Sequence, residues 1–504
     1  MDERSVKQKG YVPFLRQCFL TASVAVNIIG HGCVIGYSAI LIPSLRKADS
    51  NIKATTSEES WIASIAGFAL ILGNLIITPL MDIIGRKKCH LLSTVPILIG
   101  WFLLILAESI QAIIFARFLQ GISMGLLGPL GSIIISEMTD PKNRGAFLTC
   151  VSLSLTIGVL MTHTIGTFLS WQQTALVCSF VTFISLNMII FAPESPSWLI
   201  AKGRYKESKD VFFWLRGEGP EQEDELEHMI TAQKLIRKSS VAGQKLSVRA
   251  KTGRFFRYLG QTFKKPEFYK PIAIMFHLYV LFQFAGINVI SSYAMDIIKQ
   301  VVGPDANAAL LMVLLDVERL ICNILAVFLM KKFNRRTLLF FTGSICVLAY
   351  YGKGTYVLAK QNNWLPFDSQ FIPIFLIAIY MFSLTVGISS IPFAISGEIF
   401  PLEYRGLGGG IGTLPLSLNF FIAIKCFPVL IAAITLPFTY FVYGSVVCYC
   451  LIVLWFILPE TKDKTLQEIE DKLRGQTGED RRSSEPLNGK VNLMRRFSSQ
   501  IIIH

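Results

Sequence analysis

Three polar side chains in one largely apolar run of the chain suit an uncharged ligand that is rich in hydroxyl groups. Gln283 and Asn288 carry amides, which both donate and accept hydrogen bonds, and Tyr293 adds an aromatic face. On an ideal helix the two amides would diverge by roughly 140°. Gly286 lies between them and permits a bend, so both amides could line one cavity. The alternative is that they only hydrogen-bond neighbouring helices.

A second polar group in an apolar run is charged. Arg319 lies near the middle of its run, with Asp316 one helical turn earlier and Glu318 beside it. A charge at the bilayer centre costs about 2.5 to 3.5 kcal/mol on insertion scales, so Arg319 should face a protein interior or a cavity. Two interpretations stay open. Arg319 and Asp316 neutralise each other as an i,i+3 pair, or Arg319 is a cavity cation that selects an anionic or more polar solute.

Charged residues also recur at the ends of the apolar runs. Glu137, Arg144, Glu398 and Arg405 lie at run ends on one side of the bilayer, with Arg86 nearby. Membrane topology explains the arginines, because basic residues concentrate in cytoplasmic loops, but it does not explain the glutamates. Topology alone therefore does not account for these five residues, which we call the gate charges.

The elements that must position these residues are long apolar helices. The chain has 504 residues, of which 52% are hydrophobic and 16% charged, and its mean hydropathy is +0.52. Runs of about 18 or more apolar residues predict spanning helices. The predicted spans are 17–43, 59–82, 89–107, 110–136, 146–169, 173–192, 270–299, 307–330, 337–359, 371–396, 405–431 and 434–458. The sequence thus predicts an all-α membrane protein with twelve transmembrane helices, the second of which opens with a capping box of Thr56 and Glu59.

The chain is also an internal repeat. Three motifs occur twice, in the same order and at a nearly constant offset. Gly85-Arg86-Lys87-Lys88 matches Asn334-Arg335-Arg336-Thr337, and Pro193-Glu194-Ser195 matches Pro459-Glu460-Thr461. Between them, Ser136-Glu137 followed by Asn143-Arg144-Gly145 matches Gly397-Glu398 followed by Tyr404-Arg405-Gly406. A parallel repeat indicates two pseudo-symmetric six-helix bundles. The predicted order is a cytoplasmic N-terminus (1–16), the first bundle (17–192), a cytoplasmic linker with short helices (193–269), the second bundle (270–458) and a largely disordered cytoplasmic tail (459–504).

Composition argues against several other classes of protein. The net charge is +14, but the basic residues lie in alternate loops, which indicates cytoplasmic termini and a bilayer partner rather than nucleic acid. The 10 cysteines and 6 histidines have no metal-ligand spacing. With no nucleotide motif and no paired catalytic groups, the sequence predicts no cofactor, no metal, no catalytic residue and no enzyme.

Several motifs together resemble a known family. They are Asp82 with Gly85-Arg86-Lys87, Arg117-Phe118-x-x-Gly121, Glu137 with Arg144-Gly145, Pro193-Glu194-Ser195-Pro196-x-Trp198-Leu199, Trp214-Leu215-Arg216-Gly217, Gln283-x-x-Gly286-Ile287-Asn288 and Pro459-Glu460-Thr461-Lys462. The chain resembles sugar porters of the major facilitator superfamily, and most of all the insect facilitated trehalose transporters. The resemblance implies a central substrate site and alternating access. It also implies that the gate charges pair between the halves when the cytoplasmic side is closed.

The resemblance also implies which residues bind substrate: Gln283, Asn288, Tyr293, Phe282, Phe393, Ser152, Asn419 and Arg319. Several of these depart from the family pattern. Phe282 replaces the first of two glutamines, Ser152 a glutamine in span five, and Arg319 an amide in span eight. In span ten, Phe393 stands for a tryptophan. In span eleven, Leu416-Ser417 replaces an Asn-Trp pair, with Asn419 near. The site keeps its span-seven amides and changes several partners.

The sequence therefore predicts a facilitator in the cell membrane that moves a small sugar, trehalose or a hexose, down its gradient without energy coupling. Proton-coupled relatives resemble one another in placing an aspartate in span one, where this chain has Ser38 after Gly36-Tyr37. His31 lies about two turns earlier and is a possible substitute, because histidine titrates near pH 6.5 in water. Asp316 and Glu318 are candidates too, although Arg319 beside them should keep at least one of them ionised. A proton-coupled symporter and a sugar sensor with little transport stay open as alternatives.

Overall fold

The computed structural model describes residues 3–241, 260–365, 369–400, 405–462, 464 and 466–474. This part of the chain is helical and contains no β-strand. Nine of its helical stretches are long and apolar enough to cross a membrane. The protein is an all-α membrane protein, as the sequence predicts.

The first half consists of six long helices: α1 (Glu3–Leu45), α2 (Thr56–Ile84), α3 (Arg86–Ile105), α4 (Ile110–Met138), α5 (Pro141–Phe168) and α6 (Trp171–Phe191). Glycines let these helices pack closely, α1 against α5 and α2 against α4. A Cβ atom on Gly158 of α5 would lie 2.1 Å from the Ile29 carbonyl oxygen of α1. A Cβ on Gly125 of α4 would lie 2.3 Å from that of Leu70 in α2.

Three shorter helices follow: α7 (Pro196–Ala201), α8 (Tyr205–Arg216) and α9 (Pro220–Val241). Side-chain contacts bind them to one end of the first half. Arg216 of α8 forms an ion pair with Asp140 at 2.7 Å, and the amide of Gln17 donates to the Leu215 carbonyl at 3.0 Å. The side of the molecule that carries α7 to α9 is called the linker face below, and the other side the opposite face.

The second half repeats the arrangement with interruptions. Its helices are α10 (Pro266–Phe284), α11 (Ile287–Val301), α12 (Ala308–Lys332), α13 (Arg335–Gln361), α14 (Phe371–Ser383), α15 (Ile391–Glu398), α16 (Arg405–Ile457) and a short α17 (Leu466–Arg474). The predicted seventh span is α10 and α11, and a π-helical turn at Leu384–Ile388 divides the tenth. The eleventh and twelfth spans are two arms of α16, which bends at Thr435 (φ 68°). The arms contact each other through the Tyr443 hydroxyl, which donates to the Ala423 carbonyl.

Matching contacts at the ends of the two halves agree with the predicted repeat. The Glu194 carboxylate accepts from the backbone N–H groups of Arg86 and Lys87 at the start of α3. The Glu460 carboxylate does the same for Arg335 and Arg336 at the start of α13. Carboxylates at helix N-termini are favourable because they satisfy free N–H groups and oppose the helix dipole.

The interface between the halves is pseudo-symmetric. Helix α1 packs on α11, α2 on α16, and α5 on α12. The Asn74 amide donates to the Ser417 hydroxyl at 2.7 Å, and the Asn323 amide donates to the Thr156 hydroxyl at 2.8 Å. Asn74 and Asn323 stand at the same distance before the paired motifs at Gly85 and Asn334. These two amide–hydroxyl bonds are thus equivalent under the repeat.

The predicted capping box of α2 is wrong by one residue. Thr55 is the N-cap, and its backbone N–H and side chain bond with Glu58. The reason is that Glu59 is occupied elsewhere, because its carboxylate binds Arg46. That contact begins an ion-pair cluster on the opposite face, which is described below.

Candidate functional site

The seventh span breaks between the two predicted amides. Gly286 adopts the left-handed conformation (φ 91°) that side chains other than glycine rarely tolerate. The break redirects the chain, so Asn288 reaches back and its amide donates to the Gln283 amide oxygen at 2.8 Å. The two amides are therefore neighbours, although an ideal helix would have separated them.

This amide pair lies beside the interface between the halves. The Gln283 amide donates to the Leu416 carbonyl of α16 at 3.1 Å. The next residue, Ser417, accepts the interface bond from Asn74 of α2. Both Gln283 and Asn288 are buried. A ligand that bound the amide pair would therefore be close to groups from both halves, which alternating access requires.

Aromatic residues flank the amide pair on both sides. Tyr293 stacks on Phe427 with ring centroids 5.8 Å apart, and its hydroxyl reaches the Ile424 carbonyl at 3.5 Å. Towards the linker face, Phe282 meets the edge of Phe393 at 5.5 Å. Phe393 remains 49% exposed. Aromatic faces of this kind can stack on the apolar faces of sugar rings.

The charges in the eighth span do not pair as an i,i+3 couple. Asp316 lies 2.5 Å from the Nδ1 atom of His163, which belongs to α5 of the other half. The Nε2 atom of His163 faces the carbonyls of Gly36 and Ser291. Arg319 instead donates to the Ser291 hydroxyl at 2.8 Å, and its Nε atom has no hydrogen-bond partner. Asp316 and Arg319 thus form no direct ion pair among the described contacts, because each hydrogen-bonds a residue from another helix.

Two further predicted site residues make different contacts. The Ser152 hydroxyl of α5 is 3.4 Å from the Asn323 amide oxygen of α12. The Asn419 amide donates to the Pro415 carbonyl of its own helix. Ser152 therefore contacts the other half, whereas the described contact of Asn419 is local.

The two linker-face glutamates, Glu137 and Glu398, each pair with an arginine of their own half. Arg86 holds Glu137 through two hydrogen bonds of 2.9 and 3.0 Å, and Arg335 holds Glu398 at 2.6 Å. Arg144 lies near Asp140, Glu225 and Arg216 of its own half. The side chain of Arg405 lies outside the described residues. The described pairs of Glu137 and Glu398 therefore stabilise each half rather than join the two.

The ion-pair cluster on the opposite face does join the halves. Arg46, which follows α1, binds Glu59 of α2 at 2.6 Å and Asp296 of α11 at 2.9 Å. The hydrogen bonds to Glu59 raise the pKa of the Arg46 guanidinium above its ordinary value, so this cation stays charged at physiological pH. We refer to these three residues as the opposite-face latch.

Breaking the latch is expected to open the opposite face. Replacement Asp296→Asn should increase the labelling of Ser60→Cys by a membrane-impermeant thiol reagent about fivefold, in a protein whose native cysteines are replaced. Partly exposed ion pairs contribute about 0.2 to 1 kcal/mol, and the upper value equals about a fivefold shift in population. Ser60 is a suitable reporter because it is buried and contacts Lys425 of the other half.

The matched control is Arg204→Ala, which breaks the exposed pair of Arg204 and Glu207 within the linker. It should leave the labelling unchanged. Equal labelling in the Asp296→Asn variant and in the parent protein would show that the latch does not hold the halves together.

Sequence reasoning missed four residues that the structure places between the halves: Asn74, Asn323, His163 and Arg46. A signal existed for two of them, because Asn74 and Asn323 occupy equivalent positions of the repeat and are amides in apolar runs. The partners of His163 and Arg46 in the other half, Asp316 and Asp296, are far away in the sequence. No local sequence pattern therefore predicts these contacts.

Known proteins with similar sequences also point to transport. The model of the family "Sugar (and other) transporter" matches residues 18–473. The chain is 26% identical to the facilitated trehalose transporter Tret1 of Apis mellifera ligustica over 90% of this chain and 87% of the relative. It is also 26% identical to Tret1 of Bombyx mori over 91% and 86% of the two chains.

Solved structures give the same fold. The proton:xylose symporter XylE bound to 6-bromo-6-deoxy-D-glucose superposes with a TM-score of 0.67 at 18% identity, over 92% of this chain and 99% of that one. Its inward-open form from E. coli gives a TM-score of 0.69 at 18% identity, over 90% and 99%. With a family model that spans both halves and the linker, the chain belongs to the family of sugar (and other) transporters.

Proposed function

We propose that this transporter moves a neutral sugar, trehalose or a hexose, down its concentration gradient by alternating access and without energy coupling. The observation that carries the proposal is the Gln283–Asn288 amide pair, which the Gly286 break holds beside the interface between the halves. Paired amides can bind neighbouring sugar hydroxyls, because each amide donates and accepts. The names of the trehalose relatives support the choice of substrate.

Alternation would use contacts that lie on both sides of the amide pair. Opening towards the opposite face would separate Arg46 from Asp296. Opening towards the linker face would break the equivalent bonds of Asn74 and Asn323. Each side is held by a few polar contacts, so breaking them costs little free energy. The states open to either face can therefore exchange, as a facilitator requires.

The proposal that transport is not coupled to protons is based on residues of the first span. Ser38 accepts a hydrogen bond from Arg117 at 2.9 Å, and a serine hydroxyl does not titrate at physiological pH. His31 contacts the Ser123 hydroxyl within the first half at 2.9 Å. Neither residue makes a described hydrogen bond to the second half, so neither is placed to sense the alternation.

A proton-coupled symporter is the second candidate, and one observation favours it. Both ring nitrogens of His163 face acceptors, the Asp316 carboxylate on one side and two carbonyls on the other. The pair joins α5 to α12, which belong to different halves. A proton shared by this pair would therefore sit where separation of the halves breaks the contact.

The proposed orientation places the linker face and both termini in the cytoplasm and the protein in the cell membrane. The proposed units are those predicted above: 1–16, 17–192, 193–269, 270–458 and 459–504. The basic residues at the linker face support this orientation, through Arg86, Arg144 and Arg335. An epitope added to either terminus should bind antibody only after the cell membrane is permeabilised.

Uptake of labelled trehalose and glucose into proteoliposomes tests the function. We expect saturable uptake that stops at the external concentration and is indifferent to a protonophore. Accumulation driven by an inward proton gradient and abolished by His31→Ala would establish coupling through the first span. Saturable binding without uptake would instead identify a sugar sensor.

Arg319 is proposed to line the substrate path, so its charge should influence selectivity. Arg319→Gln should change the ratio of the inhibition constants of a sugar acid and its neutral parent by about tenfold. A shift of this size corresponds to about 1.4 kcal/mol, which is modest for a charge in a partly desolvated site. Competition against labelled sugar measures the ratio, and Arg319→Lys, which keeps the cation, is the control. An unchanged ratio in both variants would leave Arg319 only its bond to Ser291.

A further inference from the structure

A buried lysine in the second half has an unusual environment. Lys353 of α13 is 2% exposed, and none of the ion pairs found among the described residues includes it. Three tyrosine rings surround its ammonium, with centroids at 3.3 Å (Tyr380), 4.6 Å (Tyr350) and 4.8 Å (Tyr440). A desolvated cation on an aromatic face gains about 2 kcal/mol or more, which helps to offset burial. We call these four residues the tyrosine cage.

The cage is joined to the break in the seventh span. The hydroxyls of Tyr350 and Tyr380 both donate to the Ala285 carbonyl, at 2.9 and 2.5 Å. Ala285 directly precedes Gly286. A Cβ atom on Gly286 would lie 2.5 Å from the Tyr350 hydroxyl and 2.6 Å from that of Tyr380. The two hydroxyls therefore close around the break, and they satisfy a carbonyl that a continuous helix would have used itself.

We propose that Lys353 is a positioning residue for substrate binding, acting through Tyr350 and Tyr380 on the Gly286 break. A cation on the face of a phenol withdraws electron density from its O–H group and strengthens the hydrogen bond that this group donates. Lys353 thus fixes the Ala285 carbonyl, and with it the relative placement of Gln283 and Asn288. The inference deepens the proposed function, since it rests on those amides binding the sugar.

The cage offers a matched set of variants. Lys353→Met removes the cation and keeps an unbranched side chain of similar length. Tyr350→Phe keeps the ring under the lysine and removes only the hydroxyl that reaches Ala285. Tyr440→Phe is the control, because the Tyr440 ring faces Lys353 but its hydroxyl has no hydrogen-bond partner.

We expect Lys353→Met and Tyr350→Phe each to raise the half-saturating sugar concentration about fivefold or more, while the maximal rate per transporter stays within about twofold. Because both changes weaken the hydrogen bonding of the Ala285 carbonyl, the double variant should show less than the product of the two effects. Tyr440→Phe should behave as the unaltered protein. Fewer molecules in the membrane with an unchanged half-saturating concentration, or an equal effect of Tyr440→Phe, would overturn the proposal.

A second measurement is independent of sugar. Amide hydrogen exchange in purified protein should be faster at residues 284–288 in Lys353→Met and Tyr350→Phe than in Tyr440→Phe. The reason is that the tyrosine hydrogen bonds to the Ala285 carbonyl are weakened or lost in the first two variants. Unchanged exchange there would overturn the positioning role even if transport were altered. If the unaltered protein took up no sugar, the proposed function would fail, while the exchange experiment would still decide whether Lys353 orders the break.

Discussion

Gln283→Ala should raise the half-saturating sugar concentration at least about fivefold without reducing the amount of protein in the membrane. The Gln283 side chain accepts from Asn288 and donates to the Leu416 carbonyl, so it links the two parts of the seventh span to α16. Removal of a partner in a buried polar site costs about 1 to 3 kcal/mol, and about 1.4 kcal/mol corresponds to tenfold in affinity. Initial uptake rates in proteoliposomes, measured across a range of sugar concentrations, give the value directly.

The control for Gln283→Ala is another buried amide that lies within one half. Asn27 of α1 donates to the Thr94 hydroxyl of α3 at 3.1 Å. Asn27→Ala should lower thermal stability and leave the half-saturating concentration unchanged. If Gln283→Ala behaved like Asn27→Ala, the Gln283 amide would hold helices together and would not bind sugar.

The break in the seventh span could be predicted because its cause is local. Gln283 and Asn288 would not share a face of an ideal helix, and a glycine between them allows the backbone to turn. The repeat could be predicted for a similar reason. Its motifs, such as those at Glu194 and Glu460, are short and lie at helix starts, where a carboxylate has a defined role.

The partner of Asp316 could not be predicted in the same way. In the sequence Arg319 is one turn away, and i,i+3 pairs of opposite charge are favourable on isolated helices. The packing of α5 on α12 brings His163 closer. A contact between distant segments depends on which helices pack together, and apolar periodicity does not specify the neighbour.

The tyrosine cage illustrates the same limit. Tyr350 and Lys353 are one turn apart on α13, but Tyr380 lies on α14 and Tyr440 on α16. The sequence shows a lysine in an apolar run and gives no indication of what surrounds it. The charge is tolerated because three helices supply aromatic faces at one point.

Asp316→Ala is expected to abolish more than about nine tenths of sugar transport. It leaves the Nδ1 atom of His163 without its partner in the protein interior, where both residues are buried. Removal of one member of a buried pair costs about 3 to 5 kcal/mol. Part of this free energy is lost from the contact between the halves, since the pair joins α5 to α12. Asp316→Asn should retain about a third or more of the transport, because an amide can still hydrogen-bond the imidazole. Equilibrium exchange of labelled sugar measures both variants.

The Asp316 variants also decide between the two mechanisms, and Glu318→Gln is their control. Glu318 lies two residues further along α12 and is only partly buried, so its neutralisation should leave exchange intact. In a facilitator, Asp316→Asn slows exchange in both directions equally, since the pair only stabilises a state of the interface. In a symporter that used this contact, a proton shared by His163 and Asp316 would have to leave on one side of the membrane during each cycle. Asp316→Asn would then abolish accumulation of sugar driven by an inward proton gradient and preserve downhill exchange. That result would overturn the facilitator and assign proton coupling to this pair, because an amide cannot carry the proton between the two sides.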